Sequence, residues 1–396
     1  MGHPPCPLFR RLLALGLAWS LAAAVAIPAS AASLSWRGLL DVTAPSSTEG
    51  FQANTLTRGD NPFDPYGLRL FVDGTVNPQF TVFGQIVLHD PSGVYLDGAY
   101  VMWTPRPEND LHVNAGKLPW LIGTFAPRTY SDQNPLIGKP LIYQYHTTLV
   151  WFMAPPTADV LLASRGSGQS GISYLGGTLK GMAVVDDSWW DTGVVANGSS
   201  HSIEYALGLT NGTPGWGNSG EDENRGKTML GRVGLAPAPW LRFGASGALG
   251  PYLIHDLKTP LPAGKRPEDY DQQLVMGDLE VQGGHVELHA EAVANTWETP
   301  TVGNLDVHGG YVEGKLTLAA GLWAAARYDV MRFSDIADST GARHPWDYDE
   351  DRLEAGLGLR WDRNVFFKGV FQRNVQHEVT DDYTADLYAL QMTVLF

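Results

Sequence analysis

The chain has one cysteine among its 396 residues, Cys6, and it lies ahead of the apolar run Leu12 to Ile27. That run follows Arg10-Arg11 and gives way to Pro28-Ala29-Ser30-Ala31. This is the charged start, apolar middle and small-residue cleavage site of an export signal, so residues 1–31 are expected to be removed. The mature chain then holds no cysteine, which excludes a disulfide, a thiolate nucleophile, a Cys-ligated zinc and a covalently attached c-type haem. Long apolar runs are also missing. After residue 31 nothing approaches 18 residues, so no membrane-spanning helix is expected. Charge is sparse, at 17% of residues, and basic charge sparser. Losing two of the 27 basic residues with the leader leaves 25 against 42 acidic ones, a formal charge of −17. Such acidity argues against a nucleic-acid partner. Acidic stretches such as Glu221-Asp222-Glu223 and Asp347-Tyr348-Asp349-Glu350 are expected in exposed loops.

What the chain does have is glycine (45), tryptophan (13) and tyrosine (15), set in segments that alternate with a period of two. The last of these is the clearest. Tyr388, Leu390, Met392, Val394 and Phe396 share one face, while Ala389, Gln391 and Thr393 share the other. Side chains of a strand alternate between faces, so this is a strand with one greasy and one smaller, more polar side. It closes on Phe396. In this it resembles the C-terminal strand of bacterial outer-membrane β-barrels, the segment that their assembly machinery recognises.

Further alternating segments precede it, at 34–42, 68–76, 80–89, 95–103, 111–117, 189–196, 203–210, 228–235, 240–249, 272–281, 285–295, 309–318, 322–333, 353–361 and 365–375. Short turns such as Asn77-Pro78-Gln79 and Asp362-Arg363-Asn364 alternate with long polar connections such as Thr43 to Tyr66. The count is sixteen strands. The expected fold is all-β, a transmembrane antiparallel barrel spanning residues 32–396 as one domain, wide enough for an aqueous lumen. Residues 118–188 break the rhythm. The resemblance is to porins, in which the loop after the fifth strand folds into the lumen, and it implies the same here. The stretch is long enough to hold one further strand pair near Gly171 to Val185, which would make eighteen. Its opening, Gly116-Lys117-Leu118-Pro119, is similar to the strand-to-loop transition of porins grouped with phosphate- and carbohydrate-type channels.

The faces opposite the Leu and Val rows carry Arg232, Arg242, Asp278, Glu280, Glu287, His289, Glu291, Glu313, Lys315, Arg327, Asp329, Glu354, Arg360 and Lys368. A charge facing lipid costs about 2–4 kcal/mol at the midplane, so these point to a wet interior. In strand order the signs cluster, so opposed walls and a transverse field are expected. Arg128, Asp132, Lys139, Tyr143, Tyr145 and His146 are the candidates for the constriction: cations to attract anions, tyrosines to stack on sugars or aromatics. The alternative is that the charges pair and plug the lumen.

The expected function is passive diffusion of small polar solutes or ions through an outer-membrane channel. The expected partners are outer-membrane lipid, the barrel assembly machinery and, by the resemblance, two further copies in a homotrimer. Two alternatives stand beside it. One is a non-conducting scaffold barrel that sheaths a partner such as a multihaem cytochrome, the haem belonging to that partner. The other is a barrel enzyme, for which neither His146 nor His289 has an adjacent nucleophile pattern. Glu287, His289 and Glu291 share a strand face but read as solvated lumen groups. No metal or cofactor is expected.

Overall fold

Alternation determines which way each strand faces, and hydrogen bonding between strand edges determines what they build. A computed structural model of the chain describes residues 33–47, 66–89, 93–170, 172–174, 177–186, 190–217, 224–378 and 381–396. The expected export signal, the acidic stretch Glu221-Asp222-Glu223 and most of the polar loop after the first strand lie outside the described residues. The strands are β1 (Ser33–Ser47), β2 (Tyr66–Asn77), β3 (Phe80–His89), β4 (Gly93–Trp103), β5 (Leu111–Pro119), β6 (Ile172–Tyr174), β7 (Gly177–Leu179), β8 (Trp190–Ser200), β9 (Ile203–Thr210) and β10 (Thr228–Ala238). They continue with β11 (Leu241–Pro251), β12 (Asp271–Gly283), β13 (Val286–Thr299), β14 (Gly303–Ala319), β15 (Leu322–Phe333), β16 (Asp335–Ala337), β17 (Arg343–Pro345), β18 (Asp349–Arg360), β19 (Val365–His377) and β20 (Asp382–Leu395).

Sixteen of these pair in sequence order into one closed antiparallel barrel, and β20 returns to β1 from Leu39 opposite Leu395 to Ser47 opposite Leu387. The eighteen-strand alternative is corrected here. The pair anticipated near Gly171 to Val185 is the short ribbon β6–β7, which stands apart from the wall, and β16–β17 is a second such ribbon. Several wall strands run past their expected ends. β14 starts at Gly303 rather than 309, and β18 at Asp349 rather than 353. Beyond the apolar belt the outer face turns polar, and in β14 Leu305 and Val307 face inward instead, so the greasy outer row ends while hydrogen bonding continues.

The outward face is a belt of exposed Leu and Val, among them Leu207, Leu209, Val233, Val275, Leu357 and Leu390. Exposed aromatics edge it. Trp36, Phe80, Trp103, Trp240, Trp361 and Phe396 mark the short-turn end, and Tyr95, Tyr328 and Tyr388 the long-loop end. This is the outer surface of a barrel that stands in a bilayer. Tyr388, Leu390, Met392 and Phe396 are exposed on it, while Leu387, Ala389, Gln391 and Thr393 are buried on the inside. Phe396 exchanges backbone hydrogen bonds with Gly38, and its ring occupies the space that a side chain at Gly38 would need.

The main core of the molecule lies inside the barrel. After β5 the chain leaves the wall, and its described residues between 120 and 186 fill much of the lumen. Trp120, Ile122, Phe125, Leu141, Ile142, Tyr143 and Tyr145 pack with the inner faces of Leu274, Met276, Val293, Trp297, Leu305, Val307, Tyr311, Met331 and Phe333. Each such aromatic or aliphatic side chain stabilises the fold by about 1.5–3 kcal/mol. Just before the chain leaves the wall, Gly116 of β5 has a φ of 131° and approaches the Ala99 carbonyl so closely that no Cβ is admitted. That is the physical content of the Gly116-Lys117-Leu118-Pro119 opening.

Candidate functional site in the lumen

The inward segment is tied to the wall along its length, mostly by ionisable side chains that the alternation had placed inside. From the short-turn side upward, Gly123 N–H donates to Ser246 Oγ of β11 at 3.1 Å, and Thr124 N–H donates to the Glu291 carboxylate of β13. Arg128 pairs with Glu313 of β14. Tyr130 donates to Gln85 Oε1 of β3 at 2.7 Å, and Ser131 to Asp41 of β1. Lys368 Nζ on β19 donates to three carbonyls of the segment, those of Ser131, Leu136 and Asn134, at 2.8, 2.9 and 3.0 Å. Glu354 of β18 accepts from the backbone N–H of Gly138 at 2.8 Å and of Ile137 at 3.2 Å. Asp329 of β15 accepts from Leu141 N–H at 3.0 Å. Arg352 of β18 donates to the Lys139 carbonyl and the Gln144 side chain at 3.1 and 2.6 Å.

Beneath these ties lies a buried ionic cluster. Arg327 donates to Glu354 at 2.6 Å and to Asp329 and Glu313 at 3.1 Å, with its side chain fully buried. Carboxylates so placed are held by charge-assisted bonds in a low-dielectric interior, where both the bond and its loss weigh more than at a surface.

The expected constriction is therefore corrected in part. Tyr143 and Tyr145 are fully buried and face no open lumen. Tyr143 stacks on Phe125 at 5.3 Å and donates to Glu291 at 2.5 Å, and Tyr145 packs against Phe333. Burial, reinforced by Glu291 for one and by Asp347 and Glu350 for the other, pushes both phenols well above their ordinary range. They anchor the segment and offer no stacking platform. Lys139 lies against the wall beside Arg352. His146 Nδ1 sits 2.7 Å from the Gly181 carbonyl, within the segment. Arg128 is mostly buried against Glu313, whereas Asp132, with Lys315 and Arg360, lines a minor cavity of about 240 Å³.

The opposed walls of like charge are corrected too. Arg232 is held by both oxygens of Asp278, Lys315 lies 2.8 Å from Glu287, His289 3.5 Å from Glu280 and Arg242 3.9 Å from Glu204. Signs that cluster along the sequence interleave once neighbouring strands face each other. The acidic stretch at 347–350 is not wholly exposed either, since Asp347 and Glu350 are buried. Asp347 accepts from the backbone N–H of Thr148, Gly166 and Tyr348 at 2.8, 2.9 and 2.9 Å, pinning the far end of the inward segment. Burial pushes its carboxyl up to about 6 against those bonds. Among the described residues no three His, Asp or Glu side chains are grouped to hold a metal ion.

The open space is a cavity of about 710 Å³ at the short-turn end, under residues 119–130. Its lining includes Arg37, Phe71, Asp73, Phe83 and Tyr100 from β1 to β4, and Glu204, Arg232, Arg242 and Glu280 from β9 to β12. Phe83 and Tyr100 stack at 4.9 Å, and Tyr130 meets Phe71 edge-on at 5.3 Å. Arg37 and Asp73 were not singled out from the sequence. The signal was there, for the alternation that sends Trp36 and Val72 outward sends both of them in.

A closed sixteen-strand barrel with an apolar belt outside and a segment folded inside has the architecture of the outer-membrane porins. The solved structures it is similar to agree. An anion-selective porin from Comamonas acidovorans superposes with a TM-score of 0.57 at 10% identity, covering 92% of this chain and 100% of that one. The outer-membrane protein OmpT of Vibrio cholerae gives 0.55 at 12% identity over 93% and 99%, and a further structure of it is described as a trimer. The outer-membrane channel DcaP of Acinetobacter baumannii gives 0.53 at 11% identity over 93% and 99%. No family model matches the chain, and no curated protein matches it in sequence.

Proposed function

We propose that this protein is an outer-membrane channel of restricted conductance, which admits small polar solutes or ions past the inward segment and is not an enzyme. What carries this reading is the cavity of about 710 Å³, lined by charges of both signs and roofed by residues 119–130. Pores of this kind select by width and by the groups that line them. The first 31 residues act as a cleaved export signal, the alternating strand ending at Phe396 addresses the chain to the assembly machinery, and a homotrimer is the working unit. The path is narrow because the segment occupies much of the lumen.

The buried ties favour a second reading, a plugged barrel that binds solute at its short-turn end without conducting. A sheath around a threaded haem protein fits less well, since the chain's own residues fill that space. Planar-bilayer recordings of the refolded mature protein decide between them. Small discrete current steps that grow when residues 134–145 are deleted support the channel. A folded but silent barrel removes it in favour of the plug.

A further inference from the structure

We propose that the cavity at the short-turn end selects small zwitterions that carry an aromatic ring, the class to which the aromatic amino acids belong. This rests on the channel reading and names its solute.

On the inner face of β1 to β4, Arg37 lies opposite Phe71 and Phe71 opposite Gln85, while one step nearer the turns Asp73 lies opposite Phe83 and Phe83 opposite Tyr100. One cation and one anion thus sit diagonally across a two-strand ladder, beside the rings of Phe71, Phe83 and Tyr100, and all six side chains line the cavity.

The charged groups facing them differ in kind. Arg232 is neutralised by Asp278, Arg242 lies near Glu204, and Glu280 near His289. Arg37 and Asp73 are exposed and, among the described residues, form no ion pair with each other or with another group. The Arg37 guanidinium rests 4.4 Å over the Phe71 ring, which leaves its edge donors for a carboxylate. Asp73 offers its oxygens to an ammonium. A solute bearing both groups on one carbon would span the diagonal and lay its ring on Phe83 and Tyr100, in offset or edge contact. A simple anion would meet the adjacent Asp73, and a simple cation the adjacent Arg37, so each is disfavoured relative to the zwitterion. Because both charges are solvated, the binding is weak enough to release solute, as conduction requires.

The test is block of ion current through the refolded mature protein by four probes: L-phenylalanine, glycine, phenylacetate and phenethylamine. Phenylalanine is expected to halve the current at the lowest concentration. Arg37→Gln should raise that concentration about two- to fivefold, and also weaken phenylacetate, and Asp73→Asn should do the same for phenylalanine and phenethylamine. Phe83→Ala should bring phenylalanine towards glycine. Glycine or phenylacetate blocking as well as phenylalanine, or either charge variant leaving phenylalanine unchanged, overturns the proposal while the channel stands. If no current flows, ligand-observed NMR with the detergent-solubilised protein and L-phenylalanine separates the two ideas. Binding weakened by both variants keeps the solute class and removes only the channel, whereas no binding removes the solute class as well.

Discussion

The two sides of the lumen treat charge in opposite ways. Along β13 to β19, Glu291, Glu313, Arg327, Asp329, Arg352, Glu354 and Lys368 are buried, and each is bound to the inward segment or to another member of the cluster. Along β1 and β2, Arg37 and Asp73 stand in open space beside aromatic rings. Lumen-facing ionisable residues therefore do two jobs in one barrel. On the first side they are the glue for a segment whose own backbone would otherwise be left without hydrogen bonds in the interior. On the second they face an open cavity. The difference comes from what covers them, since a strand presents its inner residues in the same way on both sides.

Four substitutions press on that contrast. Arg327→Met leaves Glu313, Asp329 and Glu354 buried around an apolar side chain, and should destabilise the folded barrel by about 3–5 kcal/mol in denaturant unfolding. It should also raise conductance by loosening the segment. Asp347 tests the far anchor by pH. Its ionisation is disfavoured in the folded state, so the folded protein keeps this proton up to about pH 6, while the unfolded chain releases it near pH 4. The stability it contributes is full below pH 4 and is lost as pH rises through 6, by up to roughly 3 kcal/mol. Asp347→Asn should remove that component, read as the difference between the pH profiles of the two proteins. Lys368→Met orphans the three carbonyls of residues 131, 134 and 136, costing about 1–3 kcal/mol, and should make open-channel current noisier. On the open side Asp73→Asn should change stability by less than about 0.5 kcal/mol. It should instead shift the reversal potential in a salt gradient towards anions.

The barrel itself was legible in the sequence because strand alternation is local. The sequence sufficed for sixteen strands, their inward and outward faces, and a segment that turns in after β5. Tyr388 to Phe396 carried the closure in nine residues. What the segment does inside was not legible. Its contacts join positions as far apart as Ser131 and Lys368, or Gly138 and Glu354, and no periodic pattern places such pairs. Tyr143 and Tyr145 look like a binding platform in the sequence, because nothing there tells a buried tyrosine from an exposed one outside a regular strand. Asp347 and Glu350 look like surface acids for the same reason. Arg37 and Asp73 were within reach of the alternation, yet their pairing with Phe71 and Phe83 depends on register, which only the strand partners supply.

The central claim is that the segment locks onto the buried charges of β13 to β19 and leaves the short-turn ends of β1 and β2 open, and thiol accessibility tests it most directly. The only native cysteine, Cys6, falls within the expected leader, so Asp73→Cys and Gln372→Cys each introduce a lone thiol, one in the cavity and one in the buried cluster. A small charged thiol reagent, added to the refolded protein, should modify the cysteine at 73 within minutes and the one at 372 only on unfolding. Comparable rates at the two positions would contradict the account.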